Sequence, residues 1–310
     1  MLSRRSFLKK TAIGGGLLMT GAFPFDSLAA AEQRRLVILH TNDVHSRLDP
    51  FPTDGGKYAG QGGVAARAAL IRQIRQEEEH VLLLDAGDIF QGTPYFNLYH
   101  GEPEIKAMSL MGYDAVTMGN HDFDAGVEGF VRQLPHASFP VLTANYDFTN
   151  TALEGKTKPY ITLRKGGLKI GIFGLGIQLE GLVAPDAYCD TKYLEPVPVA
   201  RAVSERLKKQ EHCDMVICLS HLGFEYPYAK VSDKILAKET EYIDLIIGGH
   251  THTFLDQPVI VSNRSGAEVV ISQVGWAGLR LGRLDYVFDS KKSSKRFKAQ
   301  SVIIGKQTRG

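Results

Sequence analysis

Leu36-Val37-Ile38-Leu39 runs without a break into His40-Thr41-Asn42-Asp43-Val44-His45. A short apolar run ended by polar residues is the pattern of a strand buried on both faces. The pattern recurs at Val81-Leu82-Leu83-Leu84, Ala115-Val116-Thr117-Met118, Met215-Val216-Ile217-Cys218-Leu219 and Tyr242-Ile243-Asp244-Leu245-Ile246-Ile247. Between these runs the periodicity predicts helices over residues 64–79, 94–111, 125–134 and 199–209, with Pro94 suited to a first helical turn. Residues 160–163 and 168–173 read as a hairpin around Lys165-Gly166-Gly167, and residues 268–274 and 284–288 are strand-like with no helix between them. Helices accompany the early strands while later strands pair locally, so an α/β domain with mixed sheets is expected rather than a simple doubly wound one. The basic run at 290–296 reads as a solvated turn.

The chain has 310 residues, 44% hydrophobic and 23% charged, which excludes wholesale disorder. Its formal net charge is +2, and residues 1–30 contribute +3 of that through Arg4, Arg5, Lys9 and Lys10 against Asp26, leaving about −1 for the rest. A near-neutral body without a basic block argues against binding of nucleic-acid polymers. Three cysteines exclude a disulfide scaffold and a Cys-rich zinc module; a disulfide among Cys189, Cys213 and Cys218 is conceivable, but nothing selects a pair.

Ser3-Arg4-Arg5-Ser6-Phe7-Leu8-Lys9-Lys10, an apolar Gly-rich stretch and then Ala29-Ala30-Ala31 have the order of a secretory signal. The paired arginines resemble a twin-arginine export signal, so residues 1–31 are expected to be a leader and 32–310 one domain, located in the periplasm or secreted. Gly14-Gly15-Gly16, Pro24 and Asp26 interrupt the stretch, which argues against a stable membrane anchor.

The chemistry lies just beyond the apolar runs. Asp43 and His45 follow the first, at a spacing of two that in extended chain projects both side chains to one side; His250 and His252 repeat the device after Ile246-Ile247-Gly248-Gly249. Asp88 follows Ala86-Gly87, Asn120 and His121 follow Met118-Gly119, and His221 follows Leu219-Ser220. One such residue is usually a turn or a cap. Five strands each ending in an oxygen or nitrogen donor point instead to convergence at one sheet edge, where a bound metal, or two, would compensate the gathered charge and lone pairs. With no thiolate in the set, Mn, Zn, Fe or Co suits it better than a soft metal.

Asp43-Val44-His45, Gly87-Asp88, Gly119-Asn120-His121-Asp122, His221 and Gly248-Gly249-His250-Thr251-His252 resemble, in this order, the metallophosphoesterase (calcineurin-like phosphatase) signature. The words Leu39-His40-Thr41-Asn42-Asp43-Val44-His45-Ser46 and Gly119-Asn120-His121-Asp122-Phe123-Asp124 look more narrowly like the catalytic domain of bacterial 5′-nucleotidases and UDP-sugar hydrolases. The resemblance covers about residues 35–290. It implies a four-layer α-β-β-α sandwich of two mixed sheets flanked by helices. It also implies two divalent metal ions, one held by Asp43, His45, Asp88 and His252 and one by Asp88, Asn120, His221 and His250, with Asp88 bridging. A Gln often stands at the position of His252 in periplasmic nucleotidases.

By the same resemblance His121 is a catalytic residue near the phosphate, pointed away from Asn120 by strand alternation, and Asp124 orients it. Asp122 reads as a helix start or a residue behind the ligands, and Asp85 as a partner of loop amides. His40, His80, His100, His136 and His212 read as surface or loop residues, Cys218 as a buried thiol, and Trp276 as packing at a sheet edge. The implied activity is hydrolysis of phosphate esters, nucleotides foremost. Because the nucleotidases usually carry a C-terminal specificity domain, three readings stand at this level. They are a phosphoesterase with loose specificity from the loop at 49–63, the catalytic half of a split nucleotidase with its specificity domain on a separate chain, and a non-catalytic metal-binding or scaffold protein.

Overall fold

The computed structural model describes residues 34–291 and 295–305. The leader read at 1–31 and residues 292–294 of the basic run lie outside the described residues. In chain order the strands are β1 (Arg34–Thr41), β2 (Val81–Asp85), β3 (Ala115–Thr117), β4 (Val141–Leu142), β5 (Tyr146–Asp147), β6 (Tyr160–Lys165), β7 (Leu168–Leu175), β8 (Lys192–Tyr193), β9 (Met215–Ser220), β10 (Leu245–Gly248), β11 (Val259–Ser262), β12 (Glu268–Ser272), β13 (Arg280–Phe288) and β14 (Lys295–Ile303). The helices are α1 (Val64–Glu77), α2 (Pro94–Tyr99), α3 (Glu102–Met111), α4 (Gly126–Gln133), α5 (Pro185–Tyr188), α6 (Pro196–Glu205) and α7 (Asp233–Glu239).

Two mixed sheets form the centre, ordered β14-β13-β1-β2-β3-β4 and β11-β12-β10-β9-β7-β6. In the first, β1, β2, β3 and β4 are parallel and β13 and β14 close one edge antiparallel; in the second, β7, β9, β10 and β12 are parallel. Strand alternation sorts the side chains into layers. Leu36, Ile38, Leu82 and Leu84 of the first sheet share one core with Ile170, Ile172, Ile217, Leu245 and Ile247 of the second. Val37, Leu39 and Leu83 turn outward onto Ile71 and Ile74 of α1 and Ile105 and Met108 of α3. Val216, Cys218 and Ile246 turn outward onto Ala200 of α6 and Leu236 of α7. Each such side chain contributes about 1.5–3 kcal/mol relative to exposure. The result is the expected four-layer α-β-β-α sandwich.

Four local expectations are corrected. The helix expected over 94–111 is two, because His100 and Gly101 take φ of 52° and 95° and end α2 before Pro103 can continue it. The helix expected to reach residue 209 ends in a π-helical turn over 206–210. The expected turn at 290–296 gives way at Lys295 to edge strand β14, whose alternating polar and apolar residues pair with β13. His40, expected at the surface, is fully buried in β1. The alternation that turns Leu36 and Ile38 inward turns His40 inward too, and its Nε2 lies 2.9 Å from Ser272 Oγ of the second sheet. Gly282 stands opposite it, where a Cβ would overlap the imidazole ring. Burial without a carboxylate pulls the His40 pKa down to about 3.

Candidate metal centre

The centre is built at the ends of five strands, three from the first sheet and two from the second. β1 runs into Asp43 and His45, β2 into Asp88, β3 into Asn120 and His121, β9 into His221, and β10 into His250 and His252. All seven residues expected to bind metal come together here.

The backbone does this differently from expectation. Asp43 and His45 are not extended: their φ values are 49° and 51°, and His250 and His252 stand at 71° and 51°. Asp88 is also left-handed, at 55°. Asp and His are among the residues that enter this sparsely populated region, so each side chain is aimed by its own left-handed turn rather than by strand alternation. Likewise His121 is not separated from Asn120 by strand alternation, because Asn120 has a helical φ of −68° and leads into a 3-10 turn at His121–Phe123.

The donors fall into two triads, Asp43 with His45 and His252, and Asp88 with His221 and His250. In the first, the Nε2 atoms of His45 and His252 are 3.0 Å apart and His252 Nε2 is 3.3 Å from Asp43 Oδ1. In the second, His221 Nε2 is 3.1 Å from Asp88 Oδ2, and His250 Nδ1 is 2.9 Å from Asn120 Oδ1. Two donors at right angles on an ion with bonds of about 2.1 Å lie about 3 Å apart, so these separations are those of neighbouring ligands. Asp88 Oδ2 is also 3.8 Å from His45 Nε2, between the triads. The other oxygen, Oδ1, accepts the His121 backbone N–H at 2.8 Å, which holds Oδ2 toward the donors.

His221 supplies the sharpest test of fit. Its side chain is wholly buried, and its Nδ1 donates to Ala86 O at 2.7 Å, which turns Nε2 toward the other donors. That Nε2 is buried with no hydrogen-bond partner, the condition of a ligand atom aimed at a cation. Burial disfavours charge on this ring, yet Asp88 and Asp43 beside it raise its pKa to about 10. A divalent cation would take the place of that proton. Burial likewise disfavours the Asp88 carboxylate, and His221 and His45 hold its pKa well below the usual range. Burial lowers the pKa of His45, and burial together with the charge of His221 brings His250 to about 4, so both imidazoles are free to ligate. The residues present fit two divalent cations.

Buried polar residues hold the strand ends. Asp122 accepts from the backbone N–H groups of Asp88, Ile89, Phe90 and Gly119 at 2.8–3.2 Å, which ties the Asp88 loop to the Asn120 loop. It sits behind the ligands, and burial beside Asp88 raises its pKa to about 7. Asp85 accepts the Gly87 N–H at 2.9 Å, as expected of a partner of loop amides, and also the Thr41 hydroxyl at 2.5 Å. Gly119 has no room for a side chain: a Cβ there would overlap Asp88 Oδ1 and meet His221 Nε2 at 2.6 Å. Three further supports escape sequence reading. Asn42 donates to Asp43 Oδ2 and to Gly275 O, both at 2.6 Å. Gln273 donates to Gly249 O at 2.7 Å and accepts from Thr253 N–H. Asp233 accepts the Ser220 hydroxyl at 2.5 Å, with burial raising its pKa to about 8. A polar residue at the end of an apolar run was the available signal for Asn42 and Gln273.

His121 Nδ1 is 2.8 Å from Asp124 Oδ2, the pairing expected of them. That hydrogen bond raises the imidazole pKa against partial burial. The ring also meets His45 edge-on at 5.2 Å between centroids. Trp276 is half-buried, packs against Phe51 and Tyr58, and lies nearly parallel to His252, at 7° and 5.7 Å between centroids. The three cysteines are free thiols, Cys213 and Cys218 buried and Cys189 exposed. No helix among the described residues is long and apolar enough to cross a membrane.

Comparison with known proteins agrees with this geometry. The family of calcineurin-like phosphoesterases matches residues 36–254. The chain is 33% identical to a snake venom 5′-nucleotidase of Gloydius brevicauda over 94% of this chain and 52% of that protein. It is 36% identical to a 5′-nucleotidase of Rattus norvegicus over 84% of this chain and 48% of that protein. A 5′-nucleotidase precursor from Thermus thermophilus superposes with a TM-score of 0.77 at 32% identity, covering 87% of this chain and 54% of the other. The chain thus spans about half the length of these relatives. On the match over residues 36–254, and on a fold and a set of donors that agree with it, the chain belongs to the calcineurin-like phosphoesterase family.

Proposed function

We propose that the protein hydrolyses phosphate esters, nucleotides foremost, with water as the nucleophile at a pair of divalent cations. The observation that carries this reading is the single oxygen Asp88 Oδ2, 3.1 Å from a nitrogen of one triad and 3.8 Å from a nitrogen of the other. Asp43, His45, Asp88 and His252 would hold one cation, and Asp88, Asn120, His221 and His250 the other. Such a pair supplies charge stabilisation for phosphoryl oxygens and lowers the pKa of water toward neutrality. The protein's own residues do the rest. The left-handed turns at Asp43 and Asp88 fix the ligand oxygens before substrate arrives, which removes reorganisation from the reaction. Asp124 fixes the His121 tautomer by accepting from Nδ1–H, leaving Nε2 to exchange a proton with the ester. Asn120, the cap of the 3-10 turn, and His121, its first residue, divide the work between ligation and proton transfer.

The domain occupies residues 32–310 and follows an export leader at 1–31, placing the enzyme in the periplasm or outside the cell; the basic-apolar-small order of the leader supports this. The chain spans about half the length of its nucleotidase relatives. The second reading is a catalytic unit that turns over well only with a nucleotidase specificity domain.

Assays of the Mn- or Zn-loaded protein on p-nitrophenyl phosphate, its bis ester, AMP and UDP-glucose separate the readings. Turnover by the chain alone supports the first; weak turnover rescued by a co-expressed nucleotidase C-terminal domain supports the second. Metal-replete protein inert on every ester, alone or with that domain, refutes both and leaves a metal-binding or scaffold role.

A further inference from the structure

His252 faces solvent more than the other members of its triad: its side chain is 39% exposed, against 10% for His45 and none for Asp43. A ligating imidazole is normally oriented through its second nitrogen. His221 is held this way by Ala86 O, and His45 Nδ1 lies 3.3 Å from Phe90 O. The hydrogen-bond-length contact of His252 among the described residues is at Nε2, with His45, so no such bond holds its Nδ1. Its ring instead lies against Trp276, the single tryptophan of the chain, at 7° and 5.7 Å between centroids. The other ring contacts of the ligand imidazoles are edge-on, at 70–74°. An offset parallel pair restricts the tilt of both planes. Trp276 is itself held. Ala277 N–H donates to Asp43 O at 2.7 Å and Gly275 N–H to Thr253 O at 3.0 Å, so the segment carrying the indole is tied at Asp43 and beside His252. Phe51 and Tyr58 meet the indole edge-on at 6.0 and 6.5 Å, from a loop closed by the pairing of Pro50 with Gly62.

We propose that Trp276 is the positioning residue of the open triad: by stacking on His252 it fixes the plane in which Nε2 meets a cation, and Phe51 and Tyr58 extend that hold into the loop over residues 49–63. The inference rests on the two-cation reading and deepens it, because it assigns retention of one ion to a flat apolar face where the sealed triad uses a backbone carbonyl. Without that face the imidazole turns freely, and ordering it again weakens binding of that ion alone. A cation that draws electron density from the stacked imidazole also changes the emission of the indole. Since Trp276 is the only tryptophan, its fluorescence reports the open triad and not the sealed one.

The test titrates Zn²⁺ into metal-free wild type, Trp276→Leu, Trp276→Phe and His252→Gln, by calorimetry and, where the indole is present, by its emission. Trp276→Leu keeps apolar bulk but not the flat face, and it is expected to weaken one equivalent about tenfold and leave the other unchanged. Trp276→Phe should restore most of that loss. The wild-type emission should change with one equivalent only, and in His252→Gln that change should move to the higher Zn²⁺ concentration at which the equivalent binds. Both equivalents bound as in wild type by Trp276→Leu, both weakened alike, or no recovery in Trp276→Phe overturns the role of Trp276 while the cation pair stands. Should Trp276→Leu fail to fold, the wild-type emission decides, and a change that follows both equivalents or neither overturns the inference. A wild type that binds fewer than two equivalents overturns the two-cation reading and this inference with it.

Discussion

The triad around His221 is sealed in the protein, whereas the triad around His252 opens to solvent. The His221 side chain has no exposure and is locked by Ala86 O, under glycines that leave no space to move. The His252 side chain is 39% exposed and leans on Trp276, itself half-buried. The two positions ask different things of similar imidazoles. The sealed one has its tautomer and direction set by backbone before any ion binds, and the open one is where a ligand sphere can admit substrate and water. His121, half-buried beside His45, stands on the open side.

Removing the oxygen common to both triads should have the largest effect. Asp88→Ala is expected to empty both metal positions in elemental analysis and take turnover to background; retention of one full equivalent would show that the triads are independent. His121→Ala should leave both metals bound and lower kcat about 10²–10⁴-fold, as for loss of a proton-transfer group. Metal loss in that variant would place His121 among the ligands instead. Asn120→Ala should lower the occupancy of one metal only, read by competition with a chelator. Replacing His252 by Gln should weaken one metal about 10–100-fold, with a smaller effect on turnover than replacing His221, because an exposed position can be refilled by water. If the two substitutions cost the same, exposure does not divide the roles of the triads.

The smallest effect near neutral pH concerns an imidazole outside the centre. His221 and His40 are both wholly buried, but only His221 has carboxylates beside it, and their pKa values move in opposite directions. For His40 the folded value, about 3, lies below the unfolded 6.5. Its contribution to stability is therefore complete above pH 6.5 and is lost as pH falls toward 3, reaching on the order of 3 kcal/mol at pH 4. Denaturant unfolding from pH 7 to 4 should show this slope, and His40→Asn should flatten it; an equal slope in the variant would assign acid sensitivity to other groups.

Much of this molecule could be read from the chain. Apolar runs such as Leu36-Val37-Ile38-Leu39 are long enough and unbroken enough that burial on both faces is their only stable use, and five of them ended in donors. The hairpin of β6 and β7 was legible from its turn glycines. Edge strand β14 was not, because an edge keeps polar residues on its open side and dilutes the apolar signal. His40 was missed for the opposite reason: a polar residue gave no hint that strand alternation would carry it between two sheets. Helix α2 ended early on a left-handed His100, a conformation that residue type permits without announcing it.

The order of donors along the chain, and the absence of thiolate among them, came from the residues alone, since donor chemistry belongs to the side chain wherever it lies. Which donors share an ion, which oxygen lies between the triads and which imidazole faces solvent were decided only when β1, β2 and β3 of one sheet met β9 and β10 of the other. The reason is geometric. Two side chains more than two hundred residues apart, such as His45 and His252, reach 3.0 Å only through left-handed turns whose angles are held by the amides, carbonyls and carboxylates packed around them.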